Sequence, residues 1–278
     1  MHEGQGMKLT FIGGGNMAAA LIAGLAGQMT AGENIHVVDP NPAQLERLSD
    51  GFGVSTASAI EAQVGASDVI VLAVKPQQMR EVAASLAPLL AQRQPLIVSI
   101  AAGIRSGDLS RWLGDYPAIV RTMPNTPALI GQGITGMVAM AGVSAEHKAV
   151  ADNIMKAVGQ TVWLDDESLI DPVTAVSGSG PAYVFFFIEA MQQAALELGL
   201  SAEQGKQLAL ATFTGAAQLA AKSPDDVAVL RERVTSKGGT TYAALQSLEQ
   251  AGVKAAIVEA VKAAAARGRE LGEELGKD

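Results

Sequence analysis

Up to about Leu164 the chain alternates short β-branched apolar runs with Ala-rich stretches of helical period. Leu9-Thr10-Phe11-Ile12, Ile35 to Val38, Val69 to Val74, Leu96 to Ile100, Ala118 to Val120, Met137 to Met140 and Thr161 to Leu164 predict strands. Between the early ones, helices are predicted near Asn16 to Gln28, Pro42 to Ser49 and Gln77 to Leu90. Strands alternating with helices of that length build βαβ units on a mostly parallel sheet covered on both faces. After Asp165-Asp166-Glu167 the strand pattern stops, and helix punctuated by Gly, Ser and Pro takes over. Pro181 stands where a first-turn proline follows Ser177-Gly178-Ser179-Gly180, and Ser201-Ala202-Glu203-Gln204 reads as a capping box. Further helices are predicted from about Pro224 to Val234, Thr241 to Gln250 and Val253 to Leu275. Small residues such as Ala209, Ala211, Gly215, Ala216 and Ala220 fall on most faces of one helix. A helix without a clear polar face is buried on more than one side, so these helices are expected to interleave with a second copy of the chain.

Composition narrows the function. Hydrophobic residues make up 49% of the 278 and charged ones 17%, which excludes a disordered chain and leaves room for two domains. The net charge is −8 and neither half is basic, so a nucleic-acid partner is not expected. With no Cys, disulfides, thiolate nucleophiles and Cys-containing metal sites are impossible, which fits a reducing cytoplasm. His2, His36 and His147 have no i,i+4 partner, so neither a metal site nor a His base is expected. Lys8 and the Ala/Leu-rich stretch after it mimic a secretory leader, but Gly13-Gly14-Gly15-Asn16 interrupts the apolar segment. No apolar run approaches the ~20 residues of a membrane span, since even Tyr183 to Ile188 stops at Glu189. A cytoplasmic protein with no membrane partner is expected.

The chemistry begins where Leu9 to Ile12 runs into Gly13-Gly14-Gly15-Asn16-Met17-Ala18 and then an apolar helix, the context a dinucleotide-binding loop needs. Gly13 permits the tight turn, Gly15 lets the backbone approach a pyrophosphate, and the helix N-terminus offers unpaired N–H donors to that anion. A plain strand-to-helix turn is the alternative. Asp39 ends the second strand, where an acidic group accepts from the adenosine ribose and repels a 2′-phosphate; on that ground alone NADH is preferred to NADPH. Its bland alternative is a turn residue opening Asp39-Pro40-Asn41-Pro42 and capping the next helix. Two later strands end in Ala73-Val74-Lys75-Pro76 and Ile100-Ala101-Ala102-Gly103, and ligands sit outside such carboxyl ends. Lys75 and the Ala101 to Gly103 backbone are therefore candidates for ribose or nicotinamide, with Met123-Pro124-Asn125-Thr126-Pro127 as a rigid wall. In the helical half, the Gly/Ser turn Val176 to Tyr183 and the Gly/Thr turn Val234 to Thr241 each lead into a helix whose N–H groups can hold a carboxylate. Two ordinary interhelical turns are the alternative.

These motifs together resemble the Δ1-pyrroline-5-carboxylate reductase family. The likeness runs from Met7 to about Leu275 through Phe11 to Met17, Ala73 to Pro76, Ser99 to Gly103, Met123 to Pro127, Ser177 to Tyr183 and Val234 to Thr241, continuing to Ala244-Leu245 and Leu248-Glu249. The resemblance implies an α/β Rossmann-type N-terminal domain with an all-α C-terminal dimerisation domain: the dinucleotide-binding domain over 7–165 and the helical domain over 166–278, with residues 1–6, outside the resemblance, expected to be a disordered leader. It implies hydride transfer from NADPH or NADH to a cyclic imine, giving L-proline, in an interlocked homodimer that builds larger rings. By the family pattern Ile12 to Met17, Ala73 to Pro76 and Ala101 to Gly103 bind the cofactor, to which the position of Asp39 at the end of the second strand adds that residue. Val234, Gly239, Thr240 and Thr241 form the substrate loop, and Glu167 lies beside the ring nitrogen or the partner loop. The chain departs from the pattern at Ile60, where an Asn is usual, and at Asp39, where small or basic residues are common; Met1 to Gly6 has no counterpart.

A C=N bond accepts hydride once its nitrogen is protonated. With no Cys and no suitable His, the proton comes from water, from the Thr241 hydroxyl, or with a substrate already protonated. Two other readings compete. One is a reductase of the same plan acting on a β-hydroxy acid or another imine; such hydroxy-acid enzymes carry a lysine base on a long interdomain helix, and Lys206 and Lys222 lack that setting. The other is a non-catalytic NAD(P)-sensing dimer, which has no need of Gly239-Thr240-Thr241.

Overall fold

The computed structural model describes residues 6–277. Along the chain run β1 (Leu9–Ile12), α1 (Asn16–Leu25), β2 (Ile35–Val38), α2 (Pro42–Phe52), β3 (Ser55–Ala57), β4 (Val69–Leu72), α3 (Met79–Leu86), β5 (Leu96–Ser99) and α4 (Ser106–Trp112). They are followed by β6 (Ile119–Met123), β7 (Gly133–Ala139), α5 (Ala145–Lys156), β8 (Gly159–Trp163) and α6 (Ile170–Val173). Five helices complete it: α7 (Gly180–Glu197), α8 (Ala202–Lys222), α9 (Val227–Arg233), α10 (Thr240–Gln250) and α11 (Val253–Leu275). The leader expected to be disordered falls outside the described residues except for Gly6, which lies against Asn34.

The strands form one sheet in the order β3-β2-β1-β4-β5-β6-β7-β8, parallel throughout except for the antiparallel pair β6–β7. Two buried clusters explain why β4 and β5 read as unbroken apolar runs. Val69, Val71, Leu96 and Val98 meet α1, α2 and α5 on one face, whereas Ile70, Leu72 and Ile97 meet α3 and α4 on the other. Thr10 interrupts β1 at no cost, because its hydroxyl and that of Ser67 share a buried 2.7 Å hydrogen bond.

Several expected boundaries move for identifiable reasons. The helix expected over Gln77 to Leu90 is α3 flanked by two 3₁₀ turns, the second of which holds Pro88, a residue that cannot donate to an α-helix interior. The strand expected from Met137 begins at Gly133, since Gly133 and Gly136 sit where side chains would collide: a Cβ on Gly136 would lie 2.6 Å from Val173 Cγ1. Three elements escaped the pattern altogether: three-residue β3, seven-residue α4, and α5, capped by Ser144 accepting from the His147 N–H.

The chain divides into two compact units, residues 6–178 with 264–277, and residues 179–263. The boundary expected at residue 165 thus differs from this division, because Glu167–Leu169, α6, a π turn at Thr174–Gly178 and the last turns of α11 all pack with the sheet. In the helical unit α7 and α8 lie close because Gly205 has no Cβ to strike that of Ala195, and Phe187 meets Phe213 edge to face at 5.6 Å. Ser201 and Gln204 form the reciprocal capping box at the start of α8. Among the described residues no helix is long and apolar enough to cross a membrane.

The approach of α6 to β7 generates a prediction. Gly136→Ala forces its new methyl against Val173 and should cost about 1–3 kcal/mol, read as a lower urea midpoint. Adding Val173→Ala should recover part of that loss.

Candidate active site

Because β1, β2, β4, β5 and β6 are parallel, their carboxyl ends share one edge of the sheet, and β1 sits between β2 and β4 where the strand order reverses. Such a reversal opens a crevice in which ligands bind. The glycine loop lies there. Gly13 takes φ +102°, its N–H donates to the Val38 carbonyl at 2.7 Å, and a Cβ on it would lie 2.4 Å from the Ala73 carbonyl oxygen. Only glycine fits both the conformation and the space. Gly14 donates its N–H to Asp39 Oδ2 at 2.8 Å. Gly15 is the N-cap of α1, supplies no capping side chain, and has nothing within 4 Å of where its Cβ would be. Internal packing therefore does not require a glycine at this third position. Its bareness leaves the first N–H groups of α1 open, the cradle a pyrophosphate fits. Ala18 is buried beneath them, as close packing of helix on sheet demands.

The remaining cofactor candidates gather around this loop. Asp39 uses both oxygens on backbone: Oδ2 on the loop, and Oδ1 on the Asn41 N–H at 2.8 Å. The helix-capping duty considered for it belongs to Asn41, whose Oδ1 accepts from Ala43. Asp39 thus joins the strand end to the glycine loop, and a carboxylate retains further lone pairs for a hydroxyl. Ile60 packs on the second buried cluster as apolar wall. Ala73 donates to the Ile12 carbonyl at 2.8 Å, Val74 packs inward, Lys75 is exposed, and Pro76 opens the following turn. Met17 leans on the first cluster, while Asn16 is exposed. Across β5, Ala101 is buried, Ala102 exposed, and Gly103 takes φ +76°.

The wall formed by Met123 to Pro127 is pinned through Asn125, whose Nδ2 donates to the Ser177 carbonyl at 3.1 Å while its Oδ1 accepts from the Ile134 N–H at 3.0 Å. Beside it lies a group that sequence reasoning passed over. Arg121, 4% exposed within β6, donates to Glu167 Oε1 at 2.8 Å, and the same oxygen accepts from the Ser106 N–H at 2.7 Å. A guanidinium that deep requires a partner. A lone Arg following the apolar run Ala118 to Val120 was its signal. Glu167, expected at the ring nitrogen or a partner loop, is thus engaged on its own sheet unit.

The substrate candidates of the helical unit share one turn. Val234 is 66% exposed at the end of α9, Thr235 Oγ1 donates to the Arg231 carbonyl at 2.6 Å, and Gly238 takes φ +76°. Gly239 is the N-cap of α10, so Thr240 and Thr241 begin that helix with their N–H groups open, and Thr241 is half-buried. Neither threonine hydroxyl has a hydrogen-bond partner among the described residues. At Ser177 the hydroxyl is occupied, donating to the Val173 carbonyl at 3.0 Å.

Comparison with known proteins agrees with both halves. Residues 167–271 match the family described as pyrroline-5-carboxylate reductase dimerisation, and residues 8–103 match NADP oxidoreductase, coenzyme F420-dependent. A pyrroline-5-carboxylate reductase of Pseudomonas aeruginosa is 47% identical over 270 residues, covering 97% of this chain and 98% of the relative. The solved pyrroline-5-carboxylate reductase of Coxiella burnetii superposes with a TM-score of 0.89 at 39% identity, covering 95% of this chain and 98% of that one. That of Plasmodium falciparum, with NADP bound, gives 0.84 at 32%, covering 96% and 98%. With nearly half its residues identical to a relative over almost the whole length, and with a matching fold, the chain belongs to the pyrroline-5-carboxylate reductase family.

Proposed function

We propose that the chain reduces Δ1-pyrroline-5-carboxylate to L-proline with NADPH or NADH, the last step of proline biosynthesis, as a cytoplasmic homodimer. The observation that carries this reading is the open Gly15 cradle at the strand-order reversal, clasped by Asp39, in a chain that also carries a Gly-Gly-Thr-Thr helix start with free donors. The residues fit a dinucleotide: Gly13 and Gly14 shape the loop, the first N–H groups of α1 receive the pyrophosphate, Asp39 faces the adenosine ribose, and Ala73 to Pro76 with Ala101 to Gly103 line the path toward the nicotinamide. When bound, the nicotinamide supplies the hydride.

The chain's own task is to bind and orient the imine. The open N–H groups at Thr240 and Thr241, with the Gly238-Gly239 backbone, receive the substrate carboxylate. Val234 gives the ring an apolar contact. Thr241 Oγ, half-buried and unbonded, holds or delivers the proton at the ring nitrogen, directly or through a water. Holding the imine carbon against the hydride donor supplies much of the rate. Glu167 acts in this reading as an anchor of the cleft wall through Arg121. The dimer reading is supported by the apolar surface of the helical unit, where Phe186 is 75% and Leu198 83% exposed and Phe185, Leu208 and Leu219 are more than half exposed. Large apolar side chains left open to water on one unit mark it for contact with another chain. A ring of dimers is the larger assembly the family resemblance implies; the acidic balance disfavours a nucleic-acid partner, and no apolar run of the sequence approaches the ~20 residues of a membrane span.

The direct test mixes the protein with pyrroline-5-carboxylate and either cofactor and follows nicotinamide absorbance; a flat trace with both overturns the reading. Three outcomes follow from the residues. Asp39→Ser removes both the loop clasp and the negative charge, so binding of both cofactors should weaken, whereas the NADPH-to-NADH ratio of kcat/KM should rise about tenfold, equivalent to about 1.4 kcal/mol. An unchanged ratio would make Asp39 a loop residue alone. Thr241→Ala should lower kcat about 10²- to 10⁴-fold with cofactor KM nearly unaffected. Thr241→Val, which keeps the branched shape, should fall as far if the hydroxyl carries the proton, and full activity in it would assign the proton to solvent. Sedimentation at micromolar concentration should give a dimer; a folded, active monomer contradicts the interleaved arrangement.

A further inference from the structure

The Ala101 to Gly103 loop is held from the far end of the chain. A Cβ on Gly103 would meet Leu275 Cδ1 at 3.0 Å and Leu271 Cβ at 3.8 Å, so both leucines of α11 lie on this loop. Leu275 packs on the buried cluster that contains Ala101 and Ile104. The segment after the loop reaches back to the same helix: Arg105 Nη2 donates to the Arg269 carbonyl at 3.4 Å and lies 4.0 Å from Glu273 Oε1. Arg111 Nη2 donates to the Gly276 carbonyl at 3.1 Å. Gly272, the buried residue of α11, makes room for this contact, since a Cβ there would lie 3.0 Å from Arg105 Nε. The Arg111 guanidinium thus meets the carbonyl end of the helix, where unpaired acceptors and the helix dipole favour cations, and Arg105 lies along the last two turns.

The loop has few restraints of its own. Ile100 donates to the Leu72 carbonyl at 3.1 Å and Ala101 to Ser99 Oγ at 3.4 Å; beyond them Ala102 is exposed and Gly103 is in the left-handed region. A loop so lightly bonded takes its position from what packs on it, and glycine at its end gives the freedom to leave that position. We propose that the last turns of α11 are a positioning element for the nicotinamide end of the cofactor: Leu271 and Leu275 set the height of the Ala101 to Gly103 backbone, and Arg105 and Arg111 anchor the helix end that carries them. The inference rests on the reading that this loop meets the nicotinamide. Hydride transfer is sensitive to small misplacements of the two reacting carbons, so a helix end distant from the chemistry can govern its rate.

The test compares the full-length protein with Leu275→Ala, Leu275→Met and the milder Leu271→Ala, confirming a retained fold by circular dichroism. Three quantities are read: amide hydrogen exchange over residues 100–105 without cofactor, affinity by calorimetry for NAD⁺ or NADP⁺ and for the matching ADP-ribose fragment that lacks nicotinamide, and kcat. Leu275→Ala should speed exchange in the loop about tenfold and weaken the dinucleotide about tenfold while leaving ADP-ribose unchanged. Its kcat should drop about 10- to 100-fold. Leu275→Met, which refills the space, should restore most of each, and Leu271→Ala should shift each the same way to a smaller extent. If Leu275→Ala does not fold, Leu271→Ala decides. Equal weakening of dinucleotide and fragment, or a lower melting temperature with exchange and kcat unchanged, overturns the proposal. Failure of the unaltered protein to bind any dinucleotide would instead overturn the functional reading beneath it.

Discussion

The backbone of β1 passes so close to the end of β4 that Gly13 leaves no room for a side chain beside the Ala73 carbonyl. The approach is a consequence of parallel pairing on both sides of β1, which aligns Val38, Ile12 and Leu72 at one edge in register. The other features of the cofactor edge depend on it. The chain turns into α1 at once, Asp39 comes within 2.8 Å of the Gly14 N–H, and the N-terminus of α1 is aimed over the edge instead of into the core. A strand pair without this contact would still carry a glycine-rich turn, but not one whose donors face a common crevice.

A second constraint is electrostatic. Arg121 is buried in β6, and its charge is stabilised by Glu167, which also receives the first N–H of α4. Removing either partner of such a pair leaves an uncompensated charge, a far greater loss than the pair's own net contribution. The carboxylate therefore ties the segment after β8 to the sheet. Asn125 adds a tie from the same cleft wall to the Ser177 carbonyl, at the π turn that precedes α7. π turns are often found at functional sites; here the turn lies where the sheet unit gives way to the helical unit.

The helical unit follows different physics. Of its first two long helices, Ile188, Gly205 and Ala209 are the buried residues, while large apolar side chains stand exposed on either helix. Its lack of a polar face was visible in the Ala-rich pattern, which is why a second copy of the chain was expected from the sequence and why that expectation accords with the match to a dimerisation family.

Local chemistry was legible wherever one residue type is obligatory over a short span. Gly13 to Gly15, the Ser201–Gln204 box, Pro181 in the first turn of α7 and the apolar strands of the inner sheet answer to steric or hydrogen-bonding demands within a few residues. Elements with weak local demands were not legible: β3 is short and largely exposed, α4 is two turns long, and β7 contains Gly136, which makes room for Val173 far along the chain. The sequence by itself thus determined the alternating α/β half, the helical half, the glycine cradle and the Gly-Gly-Thr-Thr turn. Tertiary structure alone decided that Asp39 clasps Gly14, that Glu167 answers Arg121, and that α11 ends on the Gly103 loop. Each of these joins groups far apart along the chain, and periodicity carries no record of which distant backbone a carboxylate or a leucine will meet.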